Sequence, residues 1–148
     1  MDYSNAEETI ESILSANPGF PGLQKVVDAL YEGFEKYSWV GIYLLKEGIL
    51  LLGPWRGAQA TQHTSIPLGT GVCGSAAKTG KTELVGDVSK DARYLSCFLS
   101  TRSEIVVPIK RGTQVLGEID IDSDQLAAFE RHDVVFLEKV ADMLQRHI

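Results

Sequence analysis

Cysteine, histidine and clustered positive charge are scarce in this chain. Its 148 residues include two cysteines and three histidines, and 14 basic residues stand against 20 acidic ones for a net charge of -6. No basic cluster exists, which argues against a nucleic-acid partner. No apolar run approaches the roughly 20 residues that a membrane-spanning helix needs, so no membrane partner is expected. The start, Met1 to Glu8, is polar and acidic and does not read as a secretory signal. Two cysteines and three scattered histidines give no zinc spacing of the C-x2-C kind, so no metal is expected. Cysteine usage of this kind points to a reducing cytoplasm, where a cysteine pair is more often catalytic or metal-binding than structural. Repeats, linkers and low-complexity segments are also missing. The length and the 44% hydrophobic content fit one domain over residues 1–148 with one core.

Periodicity places the elements. Ser4 to Glu7 has a capping-box pattern, with Ile10, Ile13 and Leu14 following at helical spacing until Pro18, Gly19 and Pro21. Leu23, Val26, Val27, Leu30, Tyr31 and Phe34 form the stripe of a second helix. Residues 39–45 and 49–52 read as two strands joined by a tight turn at Glu47-Gly48, with Gly53-Pro54 breaking the second and a loop over 55–62. Residues 64–68 read as an edge strand because of Pro67. A short helix over 72–78 ends at Gly80, a strand covers 82–85, and 87–94 is loop or a helical turn. Residues 104–110 and 114–122 form a hairpin around Gly112. A last helix starts near Gln125, with Phe129, Phe136, Leu137, Val140 and Leu144 as its stripe. Short turns between strands predict an α+β fold with an antiparallel sheet and helices on its faces. The first and last helices are expected to pack together, within one chain or across a dimer.

Four groups of residues carry possible chemistry. Cys97 precedes a strand that is apolar on both faces, with Glu104 at its mouth. Cys73 lies in Gly69-Thr70-Gly71-Val72-Cys73-Gly74, which matches G-x-G-x-x-G. The preceding strand and following helix are too short for a dinucleotide-binding unit, with Asp87 as its ribose-binding acid. Two further readings stand: a turn allowing close backbone approach, or a cysteine at a helix N-terminus where the dipole favours thiolate. Asp120 and Asp122 share a strand face with Glu118, and alternation alone suggests a solvated acidic surface. The functional reading is a carboxylate cluster that receives an ammonium. Trp39 and Tyr43 also share a face, as core aromatics or as walls of a pocket for a methyl or thioether group. Both cysteines have an inert buried thiol as their bland reading.

Taken together, Ser38 to Leu45, Leu52 to Trp55, Ile66 to Gly74, Asp87-Val88, Ser103 to Pro108 and Gly117 to Ser123 resemble the GAF-domain free methionine-(R)-sulfoxide reductases. The segments run in family order and cover about residues 38 to 133. The co-occurrence of Cys73, Cys97, Glu104, Asp120 and Asp122 carries the specificity of the match. The resemblance implies a GAF domain with a six-stranded antiparallel sheet and helices on both faces. It implies reduction of the free amino acid methionine-(R)-sulfoxide, with no cofactor and with a thioredoxin-like reductant as partner, in a homodimer.

On that resemblance Cys97 matches the nucleophile and Cys73 a resolving cysteine. Glu104, Asp120 and Asp122 match the carboxylates that bind substrate or act as acid, and Trp39 and Tyr43 match the aromatic wall. The chemistry would run through a sulfenic acid on Cys97 and a disulfide with Cys73. Two departures stand out. A cysteine that many members carry ahead of Ile66-Pro67 is replaced here by Thr61 or His63, and Glu118 stands where the family usually has an apolar residue. The competing reading is a non-catalytic GAF sensor of a small molecule. Of the cyclic-nucleotide pattern only Phe129-x3-Asp133 is present, and no histidine adjoins Cys97 for bilin attachment.

Overall fold

The computed structural model describes residues 1–95, 98 and 100–148. Helix α1, Tyr3–Ala16, is capped two residues earlier than Ser4 suggests. The Asp2 carboxylate accepts the Asn5 N–H at 2.8 Å, so Ser4 and Glu7 lie inside the helix. Helix α2 spans Phe20–Gly33 with Pro21 in its first turn, where a missing N–H is harmless.

Strands β1, Trp39–Lys46, and β2, Ile49–Gly57, are joined by Glu47 and Gly48 at φ 52° and 78°. Positive φ at both turn residues is the backbone twist a two-residue hairpin requires. Gly53-Pro54 does not end β2, contrary to expectation. Pairing steps from Tyr43↔Leu52 to Gly41↔Trp55, which leaves both residues opposite Ile42 in a bulge. A bulge accommodates proline because the ladder is interrupted there. The expected loop is therefore strand as far as Gly57, and Trp55 is carried back beside Trp39.

Strand β3, Ser65–Pro67, is an edge strand as Pro67 requires, and α3, Gly71–Thr79, ends on Gly80 at φ 69°. Strand β4, Glu83–Val85, a 3-10 turn at Val88–Lys90, and the hairpin β5, Ser103–Arg111, and β6, Gln114–Ser123, follow. Helix α4 spans Arg131–Leu144, not a range starting near Gln125. The intervening chain is held otherwise: Ser103 Oγ donates to the Gln125 carbonyl at 2.6 Å, and the Ala127 N–H donates to the Gly86 carbonyl at 2.9 Å. Phe129 is buried, but from the loop before the helix.

The six strands are ordered β3-β2-β1-β6-β5-β4, and every pair is antiparallel. Val40, Ile42, Ile105, Val107, Ile119 and Ile121 face α1, α2 and α4. The opposite face is covered by α3, and its apolar cluster includes Tyr43, Val72, Cys73, Ala76, Val85 and Val106. Helices α1 and α4 pack within the chain. The Tyr3 and Phe136 rings lie 5.2 Å apart and Lys139 reaches Glu7 at 3.5 Å.

One buried carboxylate ties the helical layer together. Asp133 accepts from Lys36 at 2.6 Å, Tyr37 at 2.6 Å, Tyr3 at 3.1 Å and the Glu130 N–H at 2.8 Å. Burial alone would raise its pKa, but the Lys36 ammonium and the Tyr37 hydroxyl outweigh that and hold it below the usual range. Its stabilisation is present above the unfolded carboxylate pKa and is lost as pH falls through the depressed value. Asp133→Ala should lower unfolding free energy by about 3 kcal/mol at pH 7, because it strands buried donors. Denaturant titrations of both proteins at pH 7 and pH 3 check this, with the difference shrinking in acid.

Candidate active site

The sheet register gathers the predicted carboxylates. Across β5 and β6, Glu104 pairs with Asp122, Val106 with Asp120 and Pro108 with Glu118. Across β1 and β6, Trp39 pairs with Asp122, Gly41 with Asp120 and Tyr43 with Glu118. Antiparallel partners share a face, so these residues all point toward α3. The face is not solvated: Glu104, Glu118, Asp120 and Asp122 are 5%, 0%, 4% and 3% exposed. Strand alternation gives the side on which a residue sits and leaves open what covers it. Here α3, Tyr94 and Leu95 do so, and the solvated-surface reading of these acids fails.

Cys73 comes down onto this row from the first turn of α3. Its Sγ, a Glu104 oxygen and an Asp120 oxygen lie within 4.8 Å of one another. The glycine motif makes that placement possible. Gly71 sits at φ 69°, and a Cβ on Gly74 would meet the Pro67 carbonyl oxygen at 2.7 Å. The turn therefore serves close backbone approach. Between antiparallel strands, with a nine-residue helix, it forms no βαβ unit and the dinucleotide reading ends there. The thiolate-favouring effect of the helix N-terminus does not prevail either. Burial first, then Asp120, Glu118 and Glu104, push the Cys73 thiol well above its ordinary pKa. Cys97, the predicted nucleophile, lies outside the described residues.

Burial is also the largest influence on the acids. It pushes Glu104, Glu118 and Asp122 well above the usual carboxylate range, each further raised by Asp120. Asp120 is raised by burial and drawn back by hydrogen bonds from Glu104 and Cys73. Thr101 donates to Asp122 at 3.3 Å, yet one oxygen each of Asp120 and Asp122 and both of Glu118 lack a hydrogen-bond partner. Burial of this kind favours the protonated form of the row, and a cation placed beside it would favour the charged form. Cys73, Glu104 and Asp120 could also hold a divalent ion, an arrangement invisible in their spacing along the chain.

The two predicted aromatics line different cavities. Trp39 lies across Gly41 and Gly57, where a Cβ would come within 2.3 Å of its ring. It is flanked by Trp55 at 6.2 Å and Phe98 at 5.9 Å. With Phe98, Thr101 and Asp122 it bounds a cavity of ≈ 40 Å³. Tyr43, Cys73, Glu104 and Asp120 bound another of ≈ 10 Å³, and the Tyr43 hydroxyl donates to the His63 carbonyl at 2.7 Å. An open groove of ≈ 660 Å³ between β4, β5 and α4 contains none of the predicted site residues. Phe98 and Thr101 were not foreseen, because their parts depend on a loop with no periodic signal.

Similarity to known proteins fits this geometry. The GAF domain family matches residues 22–148. The chain is 34% identical to the free methionine-R-sulfoxide reductase of Saccharomyces cerevisiae, over 99% of this chain and 91% of the yeast protein. This chain belongs to the GAF-domain free methionine-R-sulfoxide reductase family. The type II free methionine-R-sulfoxide reductase of Thermoplasma acidophilum superimposes with a TM-score of 0.82 at 38% identity, covering 95% of this chain and 93% of the other. The Neisseria meningitidis reductase in complex with its substrate gives 0.92 at 35% identity, covering 98% and 87%.

Within this GAF domain the cyclic-nucleotide remnant has another role. Asp133, in the first turn of α4, closes a capping box by accepting the Glu130 N–H, and it lies in the helical layer on the sheet face opposite the acid row. The raised acids have the opposite linkage to Asp133. The folded protein holds protons that the unfolded chain releases, so their contribution falls as pH rises above about 4, toward their folded values. Thermal unfolding at pH 5 and pH 8 should show the family fold losing stability over that interval. Glu118→Gln should lose less, because it removes one buried group that must ionise or hold its proton.

Proposed function

We propose that this protein reduces free methionine-(R)-sulfoxide to methionine. The observation that supports the reading most directly is the buried Glu104–Asp120–Asp122 row set against Cys73. An α-ammonium is the part of the free amino acid that a peptide-bound residue lacks, and a buried carboxylate row is the complement of such a cation. Substrate enters by displacing protons from Asp120 and Asp122 and by parting the side chains that separate the two small cavities. Trp39 and Tyr43 face the thioether end.

The reaction we infer begins with the Cys97 thiolate attacking the sulfoxide sulfur. Glu104, held neutral by burial beside Asp120, is the acid that protonates the oxygen. The sulfoxide sulfur gains two electrons and leaves as methionine. The Cys97 sulfur loses two and keeps the oxygen as a sulfenic acid. Cys73 then forms the disulfide with loss of water, and a thioredoxin-type dithiol restores both thiols by exchange. A homodimer working in the reducing cytoplasm, using no cofactor, completes the reading.

The test is methionine formation coupled to NADPH oxidation through thioredoxin and its reductase, with each sulfoxide epimer. The (R) epimer of the free amino acid should turn over and Cys97→Ser should abolish it, since a hydroxyl is a poor nucleophile without an activating base. Turnover retained in that variant would refute the nucleophile assignment. Asp120→Ala and Asp122→Ala should each raise KM about 10- to 100-fold, the worth of a hydrogen bond to a charged group. N-acetylated methionine sulfoxide, which has no ammonium, should be a poor substrate in the same assay.

A further inference from the structure

Cys73, Glu104 and Asp120 come from three separate elements and converge on one buried point. Glu104 and Asp120 stand diagonally on neighbouring strands, since Glu104 pairs with Asp122 and Asp120 with Val106. Diagonal positions on one sheet face are within reach of each other's side chains. Cys73 meets the pair from the first turn of α3. One atom from each residue, the Sγ and two carboxylate oxygens, lies within 4.8 Å of the other two. Any such triangle has a point no more than about 2.8 Å from all three atoms, against metal–ligand lengths of about 2.3 Å for zinc to sulfur and about 2.0–2.2 Å for zinc to oxygen. Side-chain movement of at most roughly 0.8 Å closes that difference.

Two further observations point to a ligand at this place. Cys73, Glu104 and Asp120 line one cavity of ≈ 10 Å³, which has room for about one small atom. Asp120 Oδ1 and both oxygens of Glu118, two residues along the same strand face, are buried without a hydrogen-bond partner. Orphaned buried oxygens are rare in folded proteins, and a bound ion is one of the things that accounts for them. The donors select the ion. Magnesium keeps an octahedral shell of oxygens and calcium takes about six to eight, for which this cavity has no room. A thiolate with two carboxylates suits zinc, which takes sulfur and oxygen together at low coordination number.

We propose that Cys73, Glu104 and Asp120 form a binding site for a thiophilic divalent cation of the zinc type, and that an ion bound there shuts the substrate out. The site requires no assumption about activity, whereas the exclusion rests on the reductase reading above. The ion takes Asp120, one of the two carboxylates assigned to the ammonium, and Glu104, the acid assigned to the sulfoxide oxygen. It also holds the Cys73 sulfur as a ligand. Zinc has no redox chemistry, so its part is that of an inhibitor and not of a cofactor. Three metal–ligand bonds form, and the protons of the ligating groups leave to solvent.

Cobalt(II) is the probe, because it substitutes for zinc and its bond to a thiolate gives a charge-transfer band in the near ultraviolet. The protein is Cys97→Ser, in which Cys73 is the only thiol. Co2+ should give the band, Zn2+ should displace it and Mg2+ should not. Adding Cys73→Ser should abolish it. Glu104→Gln and Asp120→Asn should each weaken Co2+ at least about 10-fold, since loss of even an outer-shell partner costs that much. Near-ultraviolet circular dichroism matching the parent shows that each variant is folded. No band in Cys97→Ser, or unchanged Co2+ affinity in the folded carboxamide variants, would overturn the site. Titration calorimetry of methionine-(R)-sulfoxide into the same protein tests the exclusion. Saturating Zn2+ should weaken sulfoxide binding at least about 10-fold, the worth of a hydrogen bond to a charged group, and the sulfoxide should weaken Zn2+ by the same factor. Equal sulfoxide affinity with and without Zn2+ would overturn the exclusion. Sulfoxide that fails to bind the metal-free protein, with the cobalt band intact, would refute the reductase reading and leave the metal site standing.

Discussion

Burying four carboxyl groups on one sheet face is the constraint to which the rest of this structure answers. Glu104, Glu118, Asp120 and Asp122 are taken out of water by α3. An isolated buried carboxylate is too costly to keep charged, so each must hold a proton, accept a hydrogen bond or meet a cation. Burial favours the protonated form of all four, and hydrogen bonds from Glu104, Cys73 and Thr101 partner Asp120 and Asp122 in part. On the reading proposed above, the row would be a receptor charged by its ligand: the negative charge that binds an ammonium would develop as the ammonium arrives.

The two faces of the sheet divide stability from chemistry. The helical layer over Val40, Ile42, Ile119 and Ile121 is apolar, and its one buried acid among the described residues, Asp133, is hydrogen-bonded through both oxygens. The other face carries acids with unpartnered oxygens, a thiol in a glycine-rich turn and two small cavities. Stability supplied by the first face permits strain on the second. The single sequence Gly117 to Ser123 serves both, since period two sends Ile119 and Ile121 one way and Asp120 and Asp122 the other.

Much of the fold was legible because its signals are local. The Glu47-Gly48 hairpin, the edge strand with Pro67 and the helix stopped by Gly80 all stand where turn chemistry puts them. Errors arose where a distant partner decides. Gly53-Pro54 reads as a break, and Ile42 on the neighbouring strand turns it into a bulge. The start of α4 is shifted by the bond that Ser103 donates to Gln125 and the one that the Gly86 carbonyl accepts from Ala127. The carboxylate row was legible as a face but not as a buried one, because burial depends on what crosses above it. Glu118 was the residue most misjudged for that reason. The resemblance to the reductases pointed correctly to the family, whereas the role of each site residue rests on its place in this sheet.

The central claim is that a ligand's ammonium replaces protons in the acid row. Titration calorimetry of methionine-(R)-sulfoxide into Cys97→Ser protein at pH 7, repeated in buffers of different ionisation enthalpy, measures that exchange. The account predicts net release of protons on binding, and loss of that release with Asp120→Asn. Binding whose heat is the same in every buffer would mean that the row does not trade protons for the cation, and would contradict the account.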